Sequence, residues 1–224
     1  MTYVLHIADT AYSSWSLRGW LALRAFGLPF EHRLHRLYEP DMDAFRAAHP
    51  PARTVPALGW REGGEEVLVW DSLALVETLA ERHPDAGHWP RAAGARAAAR
   101  ALAAEMHAGF RDLRVAAPMN LHRRGRPAQA PLTEGVCADL ARLEALWDWA
   151  RGHWGAGGPY LFGAAFTAAD AFFAPVAWRI TGYALPVGPA ARAYAEALQA
   201  HPAAAAWAAM ATADPRRIDR YERI

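Results

Sequence analysis

Two adjacent serines, Ser13 and Ser14, stand between a run of strand-forming residues and a run of helix-forming ones. A hydroxyl at such a junction either caps the helix or donates to a bound anion, because a helix N-terminus presents unpaired N–H groups and a partial positive charge. The same surroundings favour a thiolate over a thiol. A thiol of pKa about 8.5 is only ~3% ionised at neutral pH, and lowering that value by two units takes about 2.7 kcal/mol of differential binding. By itself the pair reads as an ordinary cap. Val55-Pro56 and Asp71-Ser72 pose the same choice. X–Pro bonds are cis in only about 5–6% of cases, so Val-Pro alone predicts a trans peptide, and Asp-Ser alone predicts an N-cap. Arg53, two residues before Val55, reads equally well as a solvated loop arginine or as a partner for a carboxylate. Thr167-x-x-Asp170 has the form of a helix start in which the carboxylate answers the N-cap, so Asp170 is assigned a structural part.

The composition narrows the chemistry. The 224 residues carry 24 basic and 23 acidic side chains, and every basic one is Arg. That balance lacks the basic excess of a general nucleic-acid binder. Cys137 is the sole cysteine, which excludes intramolecular disulfides, paired-cysteine redox chemistry and a thiolate-rich zinc site; no metal is expected. No apolar stretch reaches the length of a spanning helix and the first residues lack a secretory pattern, so a soluble, cytoplasmic protein is expected.

The elements that must position these residues change character along the chain. Tyr3–Ala8 is a short apolar run of strand type, and Leu17, Leu21, Ala25 and Leu28 recur at near-helical spacing until Gly27-Leu28-Pro29. Phe30–Leu37 reads as a strand, Asp41–Ala48 as a short helix, and two further runs around Gly63-Gly64 as a hairpin. Asp71-Ser72 then opens a helix ending near His83-Pro84. The order β-α-β-α-β-β-α over residues 1–83 predicts a small mixed sheet with helices packed on it. After a linker at 84–90, residues 91–224 show only helical spacing. One long helix is expected over Arg91–Ala116, with Leu102, Met106, Phe110 and Leu113 along it, and a second carries Val136, Leu140, Leu143 and Trp147.

In this order and spacing the sequence resembles the glutathione transferase superfamily. Ser13-Ser14-Trp15-Ser16-Leu17-Arg18 is similar to the zeta-class Ser-Ser-Cys-x-x-Arg signature of bacterial-type, serine-using members. Val55-Pro56 resembles the family's strand-entry cis-proline, Asp71-Ser72 its acidic-Ser pair at the third helix, and Thr167-x-x-Asp170 its capping box. Trp15 stands where the zeta class has cysteine, which argues against that class's maleylacetoacetate isomerase. The resemblance implies a thioredoxin-like N-terminal domain followed by an all-α domain, a homodimer, and glutathione as co-substrate. It implies Ser13 as the hydroxyl on the glutathione thiol, with Ser14 beside it as a second catalytic candidate; either can also cap the helix, and Ser14 is expected to matter less for rate and more for stability. It implies a cis Val55–Pro56 peptide that offers the Val55 backbone to glutathione, Asp71 and Ser72 on the γ-glutamyl end, and Arg53 on the glycyl carboxylate. Met106, His107, Phe110 and Arg111 are its candidates for the electrophile pocket, each also readable as core or surface. The implied activity is attack on, isomerisation of or dehalogenation of a small electrophile or organic acid. The alternative is a protein of this fold that binds glutathione without turnover.

Overall fold

A computed structural model describes residues 2–127 and 130–223. Strand β1 (Tyr3–Ala8) is the middle of the sheet. It pairs in parallel with β2 (Phe30–His35), from Tyr3 against Phe30 to Ala8 against His35, and antiparallel with β3 (Ala57–Glu62). β3 pairs in turn with β4 (Glu65–Trp70), so the strand order is β2-β1-β3-β4. Helix α1 (Ser14–Arg24) and helix α3 (Ser72–Arg82) pack on one face; α2 (Pro40–Ala48) covers the other, where Met42 and Phe45 bury against Ala8 and Ala57. This is the small mixed sheet expected from the alternation of elements, in the thioredoxin-like arrangement that the resemblance implied.

Two close approaches fix α1 over the sheet. Leu17, Leu21 and Leu23 are fully buried in the main core. Gly19 faces Pro56 so closely that a Cβ there would lie 2.6 Å from the proline Cβ. The Val55–Pro56 peptide is cis, as the resemblance implied, and Pro50–Pro51 is cis as well.

The rest is helical: α4 (Ala93–Ala108), α5 (Arg111–Ala116), α6 (Glu134–Trp154), α7 (Ala168–Gly182), α8 (Pro189–Ala200), α9 (Pro202–Ala213) and a single turn α10 (Asp219–Glu222). α7 is buried along almost its whole length and packs on both α1 and α4. The connection from sheet to helices is stitched by His88, whose Nε2 meets the Ala22 carbonyl at 2.8 Å while its own carbonyl accepts from Ala168 N.

One expectation fails here. The single helix over Arg91–Ala116 is broken: Gly109 is extended and Phe110 takes a left-handed φ of 61° before α5 begins. The apolar spacing runs through the break because Met106, Phe110 and Leu113 are buried on either side of it. What holds the break is Arg114, whose guanidinium donates to the open carbonyls of Met106, His107 and Gly109 at the end of α4. A side chain reaching back from beyond the turn leaves no mark in the hydrophobic period.

Candidate functional site

A cleft of about 350 Å³ opens where the start of α1 meets the helical domain. Ser13, Ser14 and Trp15 form its floor, and Arg53, Thr54 and Val55 border it from the loop before β3. Arg114, Met119, Arg179 and Tyr221 face them from the helical side.

At the floor the structure divides the two serines differently from the expectation. Ser13, not Ser14, is the N-cap of α1: its Oγ accepts from Ser16 N at 3.2 Å and donates to Ser16 Oγ at 2.8 Å. Ser16 Oγ in turn accepts from Ala8 N at 2.9 Å, tying the cap to the end of β1. Ser14 sits inside the first turn, where its backbone rather than its side chain serves the helix; no described residue hydrogen-bonds its hydroxyl. The cap goes to Ser13 because it is the residue with extended backbone angles (φ −86°, ψ 91°), which aim a side-chain oxygen at the open N–H groups.

The loop before β3 carries the second feature. Among the described residues, nothing pairs with the backbone N–H or C=O of Val55, which lies just ahead of the β3 ladder. A free donor and acceptor at a strand end suit an extended peptide laid alongside. Arg53 is exposed, and its side chain has no partner among the described residues.

Asp71 and Ser72 do not line this cleft; they form the start of α3. Asp71 has a left-handed φ of 78°, and its Oδ1 accepts from Leu73 N at 2.7 Å. Its other oxygen lies 3.4 Å from His107 Nε2. Ser72 is buried, and its Oγ has no hydrogen-bond partner among the described residues. A buried hydroxyl left unpaired costs about 1–3 kcal/mol, so a ligand group that bonds to it recovers that loss.

The helical wall corrects the other expectations. Met106 and Phe110 belong to the core, and Arg111 points to solvent, because the chain turns at Gly109. His107 sits at the seam between the domains beside Asp71 and the edge of Trp15 (5.1 Å), and burial pushes its pKa down. None of these four lines the cleft. In their place stand two arginines that the sequence reading missed. Arg179, from the middle of α7, is 3% exposed; its Nε donates to Ala117 O at 2.9 Å and its Nη1 is buried with no partner among the described residues. Burial first, and then repulsion from Arg114, lowers its pKa to about 9, so it is still cationic at neutral pH. Arg114, committed to α4's carbonyls through Nε and Nη2, keeps Nη1 free of any described partner. Burial lowers its pKa too.

Trp15 organises this charge. Its ring meets two guanidinium groups, that of Arg18 at 4.6 Å from the centroid and that of Arg114 at 5.0 Å. Arg18 also sits over Phe172 at 4.9 Å and is almost wholly buried, with Nε and Nη1 unpaired. Ring faces partly compensate buried cations, by about 1–2 kcal/mol each when desolvated. The result is a cleft with a helix start at its floor, a strand-like backbone edge beside it, and a cationic wall opposite. Among the described residues no group of side chains is arranged to hold a metal ion, and no helix is long and apolar enough to cross a membrane.

Comparison with known proteins is consistent with this geometry. The model of the glutathione S-transferase N-terminal domain matches residues 12–82 and that of the C-terminal domain matches residues 92–209. No curated protein sequence gives a significant match. Among solved structures, the maleylacetoacetate isomerase of Anaeromyxobacter dehalogenans with glutathione bound in its active site is similar at 28% identity and a TM-score of 0.66, over 92% of this chain and 94% of that one. A second structure of that enzyme, with dicarboxyethyl glutathione and citrate in the active site, aligns at 26% identity and 0.68, over 96% and 98%. A Burkholderia glutathione transferase homolog with bound glutathione shares the fold at 21% identity and 0.69, over 95% and 99%.

Proposed function

This chain belongs to the glutathione S-transferase family, and from that membership we propose that it is a glutathione-dependent enzyme whose second substrate is a small electrophile bearing a carboxylate. One observation carries the reading: a single cleft sets the start of α1 and the unpaired Val55 backbone against Arg114 and Arg179. Glutathione lies along Val55 as an added strand, with its glycyl carboxylate towards Arg53 and its γ-glutamyl end at Asp71 and the unpaired Ser72 Oγ. Its sulfur reaches the first turn of α1.

Ser13 donates to that sulfur. In the free protein its proton points to Ser16 Oγ. Turning it to sulfur lets the Ser16 hydroxyl donate back, so that Ser13 Oγ accepts from both Ser16 N–H and Ser16 O–H while giving its own proton away. A hydroxyl that accepts hydrogen bonds donates more strongly, because the chain of dipoles polarises cooperatively. Ser14, with its hydroxyl idle, supplies a second donor. The thiol proton leaves to solvent, and the thiolate's electron pair forms a C–S bond at the electrophilic carbon. With a double bond beside a carboxylate, the π pair moves to the carbon next to the carboxylate as the C–S bond forms; that carbanion either takes a proton from solvent and remains as a conjugate, or turns about the former double bond and re-forms it as the thiolate leaves, giving the isomer.

Arg179 and Arg114 select the acid. A carboxylate in the cleft gives the unpaired guanidinium hydrogen atoms an acceptor and relieves the repulsion between the two cations. The dicarboxyethyl glutathione and citrate in the Anaeromyxobacter isomerase support an acidic ligand for this cleft also. Trp15 in the position of the zeta-class cysteine leaves thiolate activation to hydroxyls and the helix start alone. The protein acts as a homodimer in the cytoplasm on this reading.

Retention on immobilised glutathione, followed by turnover of an α,β-unsaturated carboxylic acid and of its uncharged amide, tests the reading. The acid is expected to react with the higher kcat/KM. Equal rates for acid and amide would overturn the anionic substrate, and retention without turnover of any electrophile would show a binding protein instead.

A further inference from the structure

Nothing in the thiolate chemistry uses His107, at the end of α4. Its ring is enclosed by groups from four other helices. At the start of α3, Asp71 brings Oδ2 to 3.4 Å from the His107 Nε2. From α1, the Trp15 ring meets it edge-on at 5.1 Å, and the buried Arg18 guanidinium sits over that same indole. From α7, the Phe172 ring centre lies 6.3 Å away. From α5, Arg114 donates to the His107 carbonyl at 3.2 Å. On α4 itself, the neighbouring acid Glu105 is paired with Arg142 of α6. Asp71 is thus the anion that His107 faces, and Arg18 and Arg114 are the cations.

The two ring nitrogens are unlike. Nε2 faces a carboxylate, whereas Nδ1 is buried with no partner among the described residues. A neutral imidazole carries one proton, and this geometry sets it on Nε2, where it meets the Asp71 charge. A second proton would have to go to Nδ1, where no acceptor waits, beside two guanidinium groups. Burial above all holds the ring below its usual 6.5; Asp71 pulls it up, and Arg18 and Arg114 push it down. Asp71 has Oδ1 on Leu73 N, and its side chain is 45% exposed. Oδ2 is therefore open to one further cation from solvent. Two cations compete for it: a protonated His107 and the ammonium of a γ-glutamyl group. Like charges gathered at one carboxylate repel, so each disfavours the other.

We propose that His107 is a positioning residue for Asp71: neutral, it leaves the carboxylate to the ligand ammonium, and protonated, it takes the carboxylate for itself, so that acid releases glutathione. The inference rests on the glutathione reading and adds a proton sensor at the γ-glutamyl end of that site. Affinity is full above pH 6.5 and falls as His107 of the free protein takes up its proton. S-methylglutathione is the probe, since its sulfur does not ionise. Its glutaryl analogue, which lacks only the amino group, is the control. The readout is the ratio of the two Kd values by calorimetry, because protonation of the His6–His35 pair beneath α2 acts on both ligands alike. From pH 7 to pH 5 the Kd of S-methylglutathione is expected to rise roughly two- to tenfold relative to the analogue, tenfold being one unit of pKa displacement. In His107→Gln the ratio is expected to stay level. In the ligand-free protein, Asp71→Asn is expected to make the His107 imidazole titrate at lower pH, followed by its NMR resonance. A level ratio in the wild-type protein, or one that moves equally in His107→Gln, overturns the proposal. An unmoved His107 titration in Asp71→Asn overturns it without any ligand. If S-methylglutathione binds at neither pH, the glutathione reading falls and the competition with it, and the titration alone then decides whether Asp71 and His107 are coupled.

Discussion

The two walls of the cleft are built on different terms. The sheet-domain wall is mostly backbone: the open N–H groups of α1 and the Val55 amide, which has no partner among the described residues. Its side chains work by hydrogen-bonding nearby backbone, Ser13 within the four-residue turn to Ser16 N and Ser16 back to Ala8 N. The helical wall is made of side chains from remote parts of the chain: Arg114 after the break at Gly109, Arg179 from mid-α7, and Tyr221 from the polar segment beyond α9. Backbone recognition is generic, and it suits a constant peptide-like ligand. Guanidinium groups set in a partly buried wall are selective, and they suit the substrate that varies. On the proposed reading one cleft carries two kinds of specificity, which separate mutations should pull apart.

The strongest test of that separation is Arg179→Met. Truncating a charged partner of a carboxylate costs about 2–5 kcal/mol, so kcat/KM for a carboxylate electrophile should fall by at least roughly 30-fold while glutathione affinity holds. Stability should change little in sum, since removing a buried and poorly compensated cation offsets the loss of its Nε hydrogen bond to Ala117 O. Calorimetric titration with glutathione beside steady-state kinetics on acid and amide substrates would check both halves. A loss of glutathione affinity as large as the loss in kcat/KM would erase the distinction between the walls.

Ser13→Ala is the matching cut on the other wall. A hydrogen bond to a charged acceptor contributes about 1.5–3 kcal/mol, so kcat should fall roughly 10- to 150-fold whichever electrophile is used. The pH–rate profile should move to higher pH, because the bound thiol ionises less readily. Since Ser13 is also the α1 cap, stability should drop by about 0.5–2 kcal/mol. Ser14→Ala should lower the rate less and leave stability nearly unchanged. Were Ser14→Ala to give the greater rate loss and the alkaline shift, the two serines would exchange roles.

Smaller effects sharpen the contrast from outside the cleft. Asp170 is fully buried, and it accepts from Thr167 N and Oγ1, Leu161 N and Tyr194 OH. Thr167→Ala removes one of these partners and should destabilise by about 0.5–2 kcal/mol without changing either affinity, read by denaturant melts beside ligand titration. On the sheet side, His6 Nδ1 lies 2.9 Å from His35 Nε2 beneath α2, and burial followed by the neighbouring His35 lowers its pKa from 6.5 to about 4. The unfolded chain takes up a proton between those values that the folded chain refuses. Stability is thus fully present above pH 6.5 and is lost as pH falls towards 4. The melting temperature should drop by roughly 3–8 °C across that window, and His6→Phe should flatten the slope.

What could be read along the chain is what depends on neighbours in sequence. The change from short strand runs to helical spacing, the serine pair at a strand-to-helix turn, the Asp71-Ser72 helix start and the Thr167–Asp170 box are all local, because caps and periods act over three or four residues. The cis peptide at Pro56 came from family resemblance, since the dipeptide itself favours trans. Tertiary structure decided the rest. Which serine caps α1 depends on one residue's ψ angle, and whether Met106 and Phe110 face a pocket or the core depends on a turn at Gly109 held by Arg114 from five residues on. Arg114, Arg179 and Tyr221 meet Ser13 across separations of about 100 to 200 residues. Arginines and tyrosines are common in this chain, and no spacing marks the three that converge. Only packing α7 on α1, and drawing segment 214–223 back to Asp9, makes them one wall.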